Sequence, residues 1–290
     1  MKLLIFLFLC VQAFANHFVT FIIPCYNCED WIEEAVQSIY QQNLSCPFEV
    51  ICTDDASTDA TYEILNSLSE YFPEMYVLRH DVNQGGGATR NTCVRDSDGD
   101  LIFCLDADNI LAPNSVQRLI DHLDATKSDI VSFGMVRYFT DALQEAGVVT
   151  YSALDNQFRL KDILQTPDSP PFSGNYLYTR ESFDRAGGYP TQQGAMDTFA
   201  FGFEQLAHGC KLTYVPETFY WHRLGIESYF IRESKTHQLT AHFFQFLLQH
   251  KTLFKKKTVH WLKKELARVL KGKEFRDAVW ALANHKLILR

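Results

Sequence analysis

The segment DGDLIFCLDADN, residues 98–109, joins a short apolar run to a pair of carboxylates. Its apolar part has the length and composition of a buried strand. Asp106 and Asp108 follow at once, although burying an unpaired carboxylate is costly. Two carboxylates one residue apart repel each other unless a cation lies between them, and their oxygens suit Mg²⁺ or Mn²⁺. A turn or helix cap before Pro113 is the alternative explanation of this pair.

Similar apolar runs alternate with helical patterns through the first 135 residues. The predicted strands cover residues 18–24, 48–53, 75–79, 101–105 and 130–135. The predicted helices between them cover residues 29–42, 57–68, 88–95 and 113–123. This alternation predicts an α/β fold with right-handed crossovers, built on a Rossmann-like, mostly parallel sheet flanked by helices.

The alternation becomes less regular after residue 140. Three prolines predict a long irregular loop over residues 140–172. Strands are expected again at 175–179 and 211–215, with a helix at 199–208 between them. From residue 231 the pattern is helical, which predicts a C-terminal helical extension.

A second acidic pair, Asp54 and Asp55, follows the second predicted strand. Ligands of open α/β sheets bind at the carboxyl ends of the strands, which is where both acidic pairs are predicted. Aspartate is also common before a helix, so this pair alone has a structural explanation. The placement of both pairs after strands of one sheet favours a shared site.

Five segments, in this order and spacing, resemble family 2 glycosyltransferases, which have the GT-A fold. They are IIPCYN at 22–27, DDASTDAT at 54–61, NQGGGATRN at 83–91, DGDLIFCLDADN at 98–109 and SGNYLYTRESFDRAGGYP at 173–190. Ala56 stands where the family pattern has glycine, and Thr89 where it has alanine. The resemblance covers about residues 18–225 and implies transfer of a sugar from a nucleoside diphosphate sugar.

The resemblance also implies which residues bind the donor. The base and ribose would be bound by Pro24, Tyr26 and Asp55, with Asp54 as the alternative carboxylate. Arg90 would approach the diphosphate or the sugar, whereas a surface salt bridge is its structural explanation.

A divalent metal, Mn²⁺ or Mg²⁺, is implied as the cofactor. Asp106 and Asp108 would hold it, and Asp106 would thereby contact the donor diphosphate. His222, in YWHR after the last predicted strand, is a candidate third ligand because imidazole binds Mn²⁺. A structural histidine is the alternative.

The catalytic base implied by the resemblance is Asp197. The family usually carries Glu-Asp at the start of a helix here, whereas this chain has Met196-Asp197. A base must lie within hydrogen-bond reach of the acceptor hydroxyl that it deprotonates. An N-cap of the following helix is the structural alternative for Asp197, and Glu204 is the alternative base.

The net charge of −8 is unevenly distributed. Residues 1–230 carry 13 Lys and Arg against 31 Asp and Glu, whereas residues 231–290 carry 14 against 4. Basic residues between 255 and 273 would flank an apolar helical stripe, with Trp261 beside it. Such a helix suits an anionic membrane surface or a partner groove, or it packs on the acidic body. The acidic body argues against nucleic acid as a partner.

Residues 1–15 have the pattern of a secretory signal peptide. Lys2 precedes a short apolar stretch, and Ala13-Phe14-Ala15 fits a small-x-small cleavage pattern. A buried first element is the alternative, and the protein would then be cytoplasmic. The predicted organisation is a signal at 1–15, a GT-A domain at 16–230 and a basic helical extension at 231–290. This predicts an exported or secretory-pathway protein with peripheral membrane contact.

Three functions are compatible with these residues. The leading one is metal-dependent, inverting transfer of a sugar, from a UDP-sugar in particular, to a hydroxyl of a glycan, lipid or protein. A catalytically idle nucleotide-sugar-binding protein is the second, because Met196 replaces the expected glutamate. Nucleotidyl transfer is the third, although PCYNCED, which closes the first strand, lacks the glycine-rich basic loop of that chemistry.

Overall fold

A ten-stranded sheet organises the computed structural model of the protein, which describes residues 17–140, 144–164, 169–224, 232–233 and 237–271. The strands are β1 (Val19–Cys25), β2 (Phe48–Asp54), β3 (Met75–Arg79), β4 (Leu101–Cys104), β5 (Ile110–Leu111), β6 (Ile130–Phe139), β7 (Glu145–Thr150), β8 (Gln157–Phe158), β9 (Leu177–Thr179) and β10 (Leu212–Arg223). Their order is β3-β2-β1-β4-β9-β6-β10-β5, with β7 paired to β6 and β8 paired to β10.

Most strands along this path point in one direction. Strands β3, β2, β1 and β4 are parallel, and β10 is parallel to β6. Strand β9 is antiparallel to both β4 and β6, and β5 is antiparallel to β10. The predicted α/β fold with a mostly parallel sheet is therefore confirmed.

The helices bury apolar faces against this sheet or against one another. They are α1 (Ile32–Tyr40), α2 (Thr61–Tyr71), α3 (Gly86–Arg95), α4 (Ser115–Thr126), α5 (Leu160–Ile163), α6 (Pro170–Ser173), α7 (Arg180–Ala186), α8 (Asp197–Ala207), α9 (His237–Gln249) and α10 (Lys256–Val269). In α1 the apolar spacing of the sequence has this effect, because Ile32, Val36 and Ile39 are fully buried on one face.

Two predictions from the sequence, for residues 140–172 and for the end of the last strand, are wrong. Residues 140–172 are not one irregular loop, because β6 extends to Phe139 and pairs antiparallel with β7, and two short helices and β8 follow. The last strand does not end at Val215. It is interrupted in register between Val215 and Phe219, where Pro216 has no N–H to donate and Glu217 adopts a φ of 62°, and it then continues to Arg223.

The helices after residue 231 pack through aromatic side chains. Phe243 of α9 lies 5.2 Å from Phe199 of α8 between ring centroids, and Phe244 lies 6.1 Å from Trp261 of α10. Leu262 of α10 is fully buried. The protein itself thus covers part of the apolar stripe predicted for this helix, although Leu270 is 65% exposed, and the lysines on its other side are exposed: Lys255, Lys256, Lys257, Lys263 and Lys264.

Several predictions fall on other parts of the chain. The signal peptide at 1–15 and the basic residues from Lys273 onward lie outside the described residues. Within the described part, none of the helices has the length and apolar character needed to cross a bilayer.

Candidate active site

The carboxyl ends of β1, β2 and β4 bring the predicted site residues to one edge of the sheet. Strand β1 pairs in parallel with both neighbours, with Cys25 opposite Asp54 and Ile22 opposite Cys104. Because these strands end side by side, the loops that follow them are adjacent. Those loops carry Asp55 after β2 and Asp106 after β4.

Asp106 is held by two side chains. Arg90 Nη2 donates to its Oδ1 at 2.6 Å, and Asn175 Nδ2 donates to its Oδ2 at 3.0 Å. Asn175 Oδ1 also accepts the backbone N–H of Asp106 at 2.8 Å. The sequence analysis did not single out Asn175, which is fully buried just before β9. A polar residue at the start of an apolar strand within the 173–190 segment was the available signal.

Arg90 also contacts the predicted base. Its Nη1 donates to Asp197 Oδ2 at 2.7 Å, so one guanidinium bridges Asp106 and Asp197. Asp197 is the first residue of α8, and its Oδ1 accepts the N–H of Thr198 at 2.7 Å. Burial raises the pKa of Asp197 while the Arg90 charge opposes that rise. A raised pKa strengthens a carboxylate as a general base.

The glycines at the start of α3 make this contact possible. A Cβ on Gly86 would lie 2.7 Å from Arg90 Nη1 and 2.8 Å from Asp197 Oδ2. A Cβ on Gly87 would lie 2.5 Å from the carbonyl oxygen of Pro190. Glycine therefore lets the first turn of α3 approach the Arg90–Asp197 pair.

Glu204, the alternative base, has a different partner. His250, directly after α9, lies 2.8 Å from the Glu204 carboxylate, and the hydrogen bond to Glu204 is among the contacts that raise the pKa of His250 although burial lowers it. This pair joins α8 to the end of α9 and is separate from the Asp106–Arg90–Asp197 group.

Asp106 and Asp108 are the pair of carboxylates whose oxygens could bind a divalent cation. Burial, together with the Asp106 charge, raises the pKa of Asp108 to about 7. Two neighbouring, partly exposed carboxylates that repel each other supply the oxygen ligands that Mg²⁺ or Mn²⁺ prefers. Among the residues in the described ranges, no group of three His, Cys, Asp or Glu side chains is arranged to hold a metal.

His222 lies within β10, opposite Tyr138, and not after the last strand as predicted. Its Nδ1 is 3.2 Å from the Tyr220 hydroxyl. Burial lowers the pKa of His222, against the effect of the Asp106 charge, which favours the neutral imidazole that metals bind. Its role as a third ligand stays a prediction.

The residues predicted to bind the base differ in exposure. Tyr26 is 42% exposed, whereas Asp54 and Asp55 are buried. Pro24 lies in β1 opposite Thr53 and is half-buried. The roles of these residues stay predictions.

Both carboxylates of the 54–55 pair have protein partners. Asp55 accepts the backbone N–H groups of Gln84 and Gly85, both at 2.8 Å, and lies 2.7 Å from His80 Nδ1. Asp54 Oδ1 accepts the N–H of Ser57 at 3.2 Å. Asp55 thereby ties the loop after β2 to the loop before α3. The sequence analysis did not identify His80.

Arg223 fixes the loop after β4 and was also missed by the sequence analysis. Its Nε donates to the carbonyl oxygen of Asp108 at 3.1 Å, and its backbone N–H donates to Asn109 Oδ1 at 3.1 Å. Its Nη2 contacts Glu34 of α1 at 2.6 Å. Strand β10 therefore orients Asp108 through Arg223. The YWHR motif contained this signal, but only its histidine was interpreted.

Comparison with known sequences identifies the family. The pattern of Glycosyl transferase family 2 matches residues 20–187, which is more than half of the chain. The chain belongs to glycosyltransferase family 2. It is 30% identical over 175 residues to the uncharacterized glycosyltransferase EpsJ of Bacillus subtilis, covering 58% of this chain and 49% of EpsJ. It is 33% identical over 114 residues to the poly(ribitol-phosphate) beta-glucosyltransferase of Bacillus spizizenii, covering 39% of this chain and 18% of that protein. The chain thus covers less than two thirds of the length of either relative.

Solved structures of other glycosyltransferases share the fold. Staphylococcus aureus TarS 1–349 in complex with UDP-GlcNAc aligns with a TM-score of 0.65 at 19% identity, over 87% of this chain and 71% of that one. The mannosyltransferase PcManGT of Pyrobaculum calidifontis, in complex with GDP-Man and Mn²⁺, aligns with a TM-score of 0.55 at 21% identity, over 93% of this chain and 70% of that one. The fold of this family 2 enzyme is therefore GT-A.

Proposed function

We propose that this glycosyltransferase moves a sugar from a UDP-sugar to an acceptor hydroxyl with inversion at the anomeric carbon. The observation that carries the proposal is the Arg90 bridge between Asp106 and Asp197. One guanidinium joins the carboxylate expected beside the donor diphosphate to the carboxylate expected beside the acceptor. The UDP-GlcNAc complex of TarS, which has the same fold, supports a UDP-sugar as the donor.

Each residue of the bridge has a step in this reaction. The acceptor oxygen attacks the anomeric carbon from the side opposite UDP, and Asp197 takes the hydroxyl proton. The bond between the anomeric carbon and the phosphate oxygen breaks, and UDP leaves with the bonding electrons. Arg90 presents positive charge where negative charge grows on the leaving diphosphate. Asn175 keeps Asp106 oriented by contacts on its side chain and its backbone.

Asp106 and Asp108 would hold Mn²⁺ or Mg²⁺ in this proposal, with His222 as a further ligand. A divalent ion offsets negative charge on a departing diphosphate. The Mn²⁺ in the PcManGT complex supports a metal in this fold. The acceptor is a glycan, lipid or protein hydroxyl.

UDP release from a panel of UDP-sugars, measured with and without Mn²⁺, tests the proposal. Asp106→Ala should abolish the metal-dependent rate, and Asp197→Asn should lower transfer by roughly 10²–10⁴-fold, the usual contribution of a general base. Asp96→Asn, at an exposed aspartate after α3, is the control and should retain the wild-type rate. Equal rates in all four proteins would contradict the assignment.

A catalytically idle nucleotide-sugar binder is the second candidate. The observation in its favour is Met196, a buried side chain where the family usually has glutamate. Metal-dependent binding of UDP in calorimetry, without turnover of any UDP-sugar over a wide acceptor panel, would favour this candidate.

We also propose export through the secretory pathway, on the signal-like pattern of residues 1–15. Sequencing the N-terminus of the mature protein tests it. A mature chain that starts at Asn16 is the expected result, and one that retains Met1 would contradict a cleaved signal.

A further inference from the structure

A cavity of about 340 Å³ lies beside Asp197. One wall is the loop leading into α3, from Asn83 to Gly87, and another is formed by residues of the 190–194 turn. Glu233 and His242, from the segment after residue 231, complete the lining. The volume is within the range of small-molecule sites. The cavity therefore joins the catalytic domain to the C-terminal segment at the predicted base.

Glu233 reaches the turn that precedes Asp197. Its Oε2 accepts the backbone N–H of Ala195 at 2.9 Å. A Cβ on Gly194 would collide with the same carboxylate, so glycine at this position makes room for it. The family pattern has a glutamate directly before the base, where this chain has the buried Met196. Glu233 thus returns a carboxylate to the neighbourhood of Asp197 from a distant part of the chain.

His242 adds a polar group to the same cavity. It lies on α9, and its Nδ1 is buried without a hydrogen-bond partner in the described parts of the chain. A buried nitrogen that makes no hydrogen bond is unfavourable. A hydroxyl group of a bound ligand would satisfy it once a rotation of the imidazole ring brings this nitrogen to the cavity.

We propose that Glu233 and His242 form the acceptor pocket of this enzyme, and that the acceptor is an uncharged polyhydroxy compound, a sugar or a polyol. The inference rests on the proposed function, because Asp197 must be the base. Hydroxyl groups donate to carboxylates and to an imidazole nitrogen. Among the described residues, the charged side chains that line the cavity are Asp197, which pairs with Arg90, and Glu233, so this described lining offers a phosphorylated acceptor no cation.

A carboxylate can accept several hydrogen bonds, so the bond from Ala195 and a bond from an acceptor are compatible. Glu233 is therefore a specificity-determining residue for the acceptor. Donor binding is assigned to the other side of Arg90 and should not depend on it.

The test uses the full chain with the UDP-sugar that it hydrolyses fastest. Methyl β-glucoside and ribitol are the neutral probes, and glucose 6-phosphate and ribitol 5-phosphate are their charged counterparts. Binding is measured by saturation-transfer NMR, and catalysis by acceptor-stimulated release of UDP. Glu233→Gln should raise the KM for a neutral probe at least tenfold, with the donor KM and the Tm unchanged. His242→Phe should act in the same direction.

Glu29→Gln is the matched control, because Glu29 Oε2 accepts the backbone N–H of Ala60 at 2.8 Å, the same kind of bond in another loop. It should leave the acceptor KM unchanged. The inference is overturned if the phosphorylated probes bind better than the neutral ones, or if no neutral probe binds. It is also overturned if Glu233→Gln changes donor KM and Tm together with acceptor KM. A third outcome is that the neutral probes bind the wild type, that this binding is lost in Glu233→Gln, and that the protein never releases UDP. This outcome would refute only the proposed function.

Discussion

Arg90→Met removes the guanidinium that joins Asp106 and Asp197, and it should destabilise the fold as well as the site. Methionine keeps an unbranched apolar stem but leaves two carboxylates without their cationic partner, although Asn175 and the Thr198 N–H still donate to them. The side chain of Asp197 is only 8% exposed, and that of Asp106 is 26% exposed. Breaking a buried ion pair by removing one partner costs about 3–5 kcal/mol. Because Asp106 is partly solvated, we expect a loss near the lower end, about 3 kcal/mol in the free energy of unfolding at pH 7.

The loss should depend on pH with a definite sign. Burial raises the pKa of Asp197 and Arg90 lowers it, so the folded-state pKa rises further in the variant. An acid whose folded pKa exceeds its unfolded pKa binds more protons when folded, and its stability falls as pH rises between the two values. The difference from wild type should therefore be largest at pH 7 and smaller at pH 5, where Asp197 is protonated more readily.

Urea unfolding followed by tryptophan fluorescence at both pH values measures this difference. Arg95→Met is the matched control, since Arg95 is on the same helix, is 69% exposed and pairs with the exposed Asp96. It should cost less than about 0.5 kcal/mol. Adding Asp197→Asn to Arg90→Met should restore part of the loss. A loss under about 1 kcal/mol for Arg90→Met at pH 7, or an equal loss at both pH values, would refute the reasoning.

Three further predictions concern other parts of the molecule. Ala56 has a φ of 59°, a left-handed conformation that is unfavourable for alanine and free of strain for glycine. Ala56→Gly should therefore stabilise the protein by about 0.5–1 kcal/mol, which is the relieved strain minus the larger conformational entropy that glycine loses on folding. A lower Tm in the variant would contradict this. Burial lowers the pKa of His17, but hydrogen bonds to Asp124 and Asp100 outweigh it and raise the pKa. The stabilisation that His17 provides, at most about 1 kcal/mol at this partly exposed site, should be present at pH 6 and lost as the pH rises through its folded pKa. Urea titrations should thus show a larger difference in stability between His17→Gln and wild type at pH 6 than at pH 8. Replacing the three exposed lysines at 255–257 by glutamine should weaken binding to anionic vesicles about 100-fold, because each lysine near such a surface contributes about 1 kcal/mol. Vesicle binding that does not change with salt concentration would contradict this prediction.

The sequence predicted the sheet and the loops at its carboxyl edge because their signals are local. Each of the first four predicted strands is an apolar run followed by a helix pattern, and Asp54 and Asp106 stand at or just after strand ends. The partners of those carboxylates were not predicted. Asn175 lies 69 residues from Asp106 in the chain, and a contact at that separation leaves no periodic signal in one sequence.

The extent of β10 shows a second limit of local reading. Pro216 and Glu217 have the features of a strand end, and the sequence analysis placed the end at Val215. The neighbouring strand β6 is long enough to pair with residues on both sides of this irregularity, so β10 continues to Arg223. The tertiary partner overrides the local break, and that continuation is what brings His222 and Arg223 to the site.

The acidic character of residues 1–230 and the basic character of residues 231–290 concern the surface of the protein and not its core. In the described part of the chain after residue 231 the exposed charged side chains are basic, yet α9 joins the body through apolar contacts, such as Phe203 with Phe246 at 5.1 Å between ring centroids. Phe243 and Leu262 belong to the same continuous hydrophobic cluster as the strands of the sheet. Aromatic contacts hold α9 on α8 beside the Glu204–His250 pair, and because salt does not screen apolar burial, high salt should leave this packing intact. This packing holds His242 of α9 beside the cavity at Asp197, whereas Lys256, Lys257, Lys263 and Lys264 of α10 are exposed.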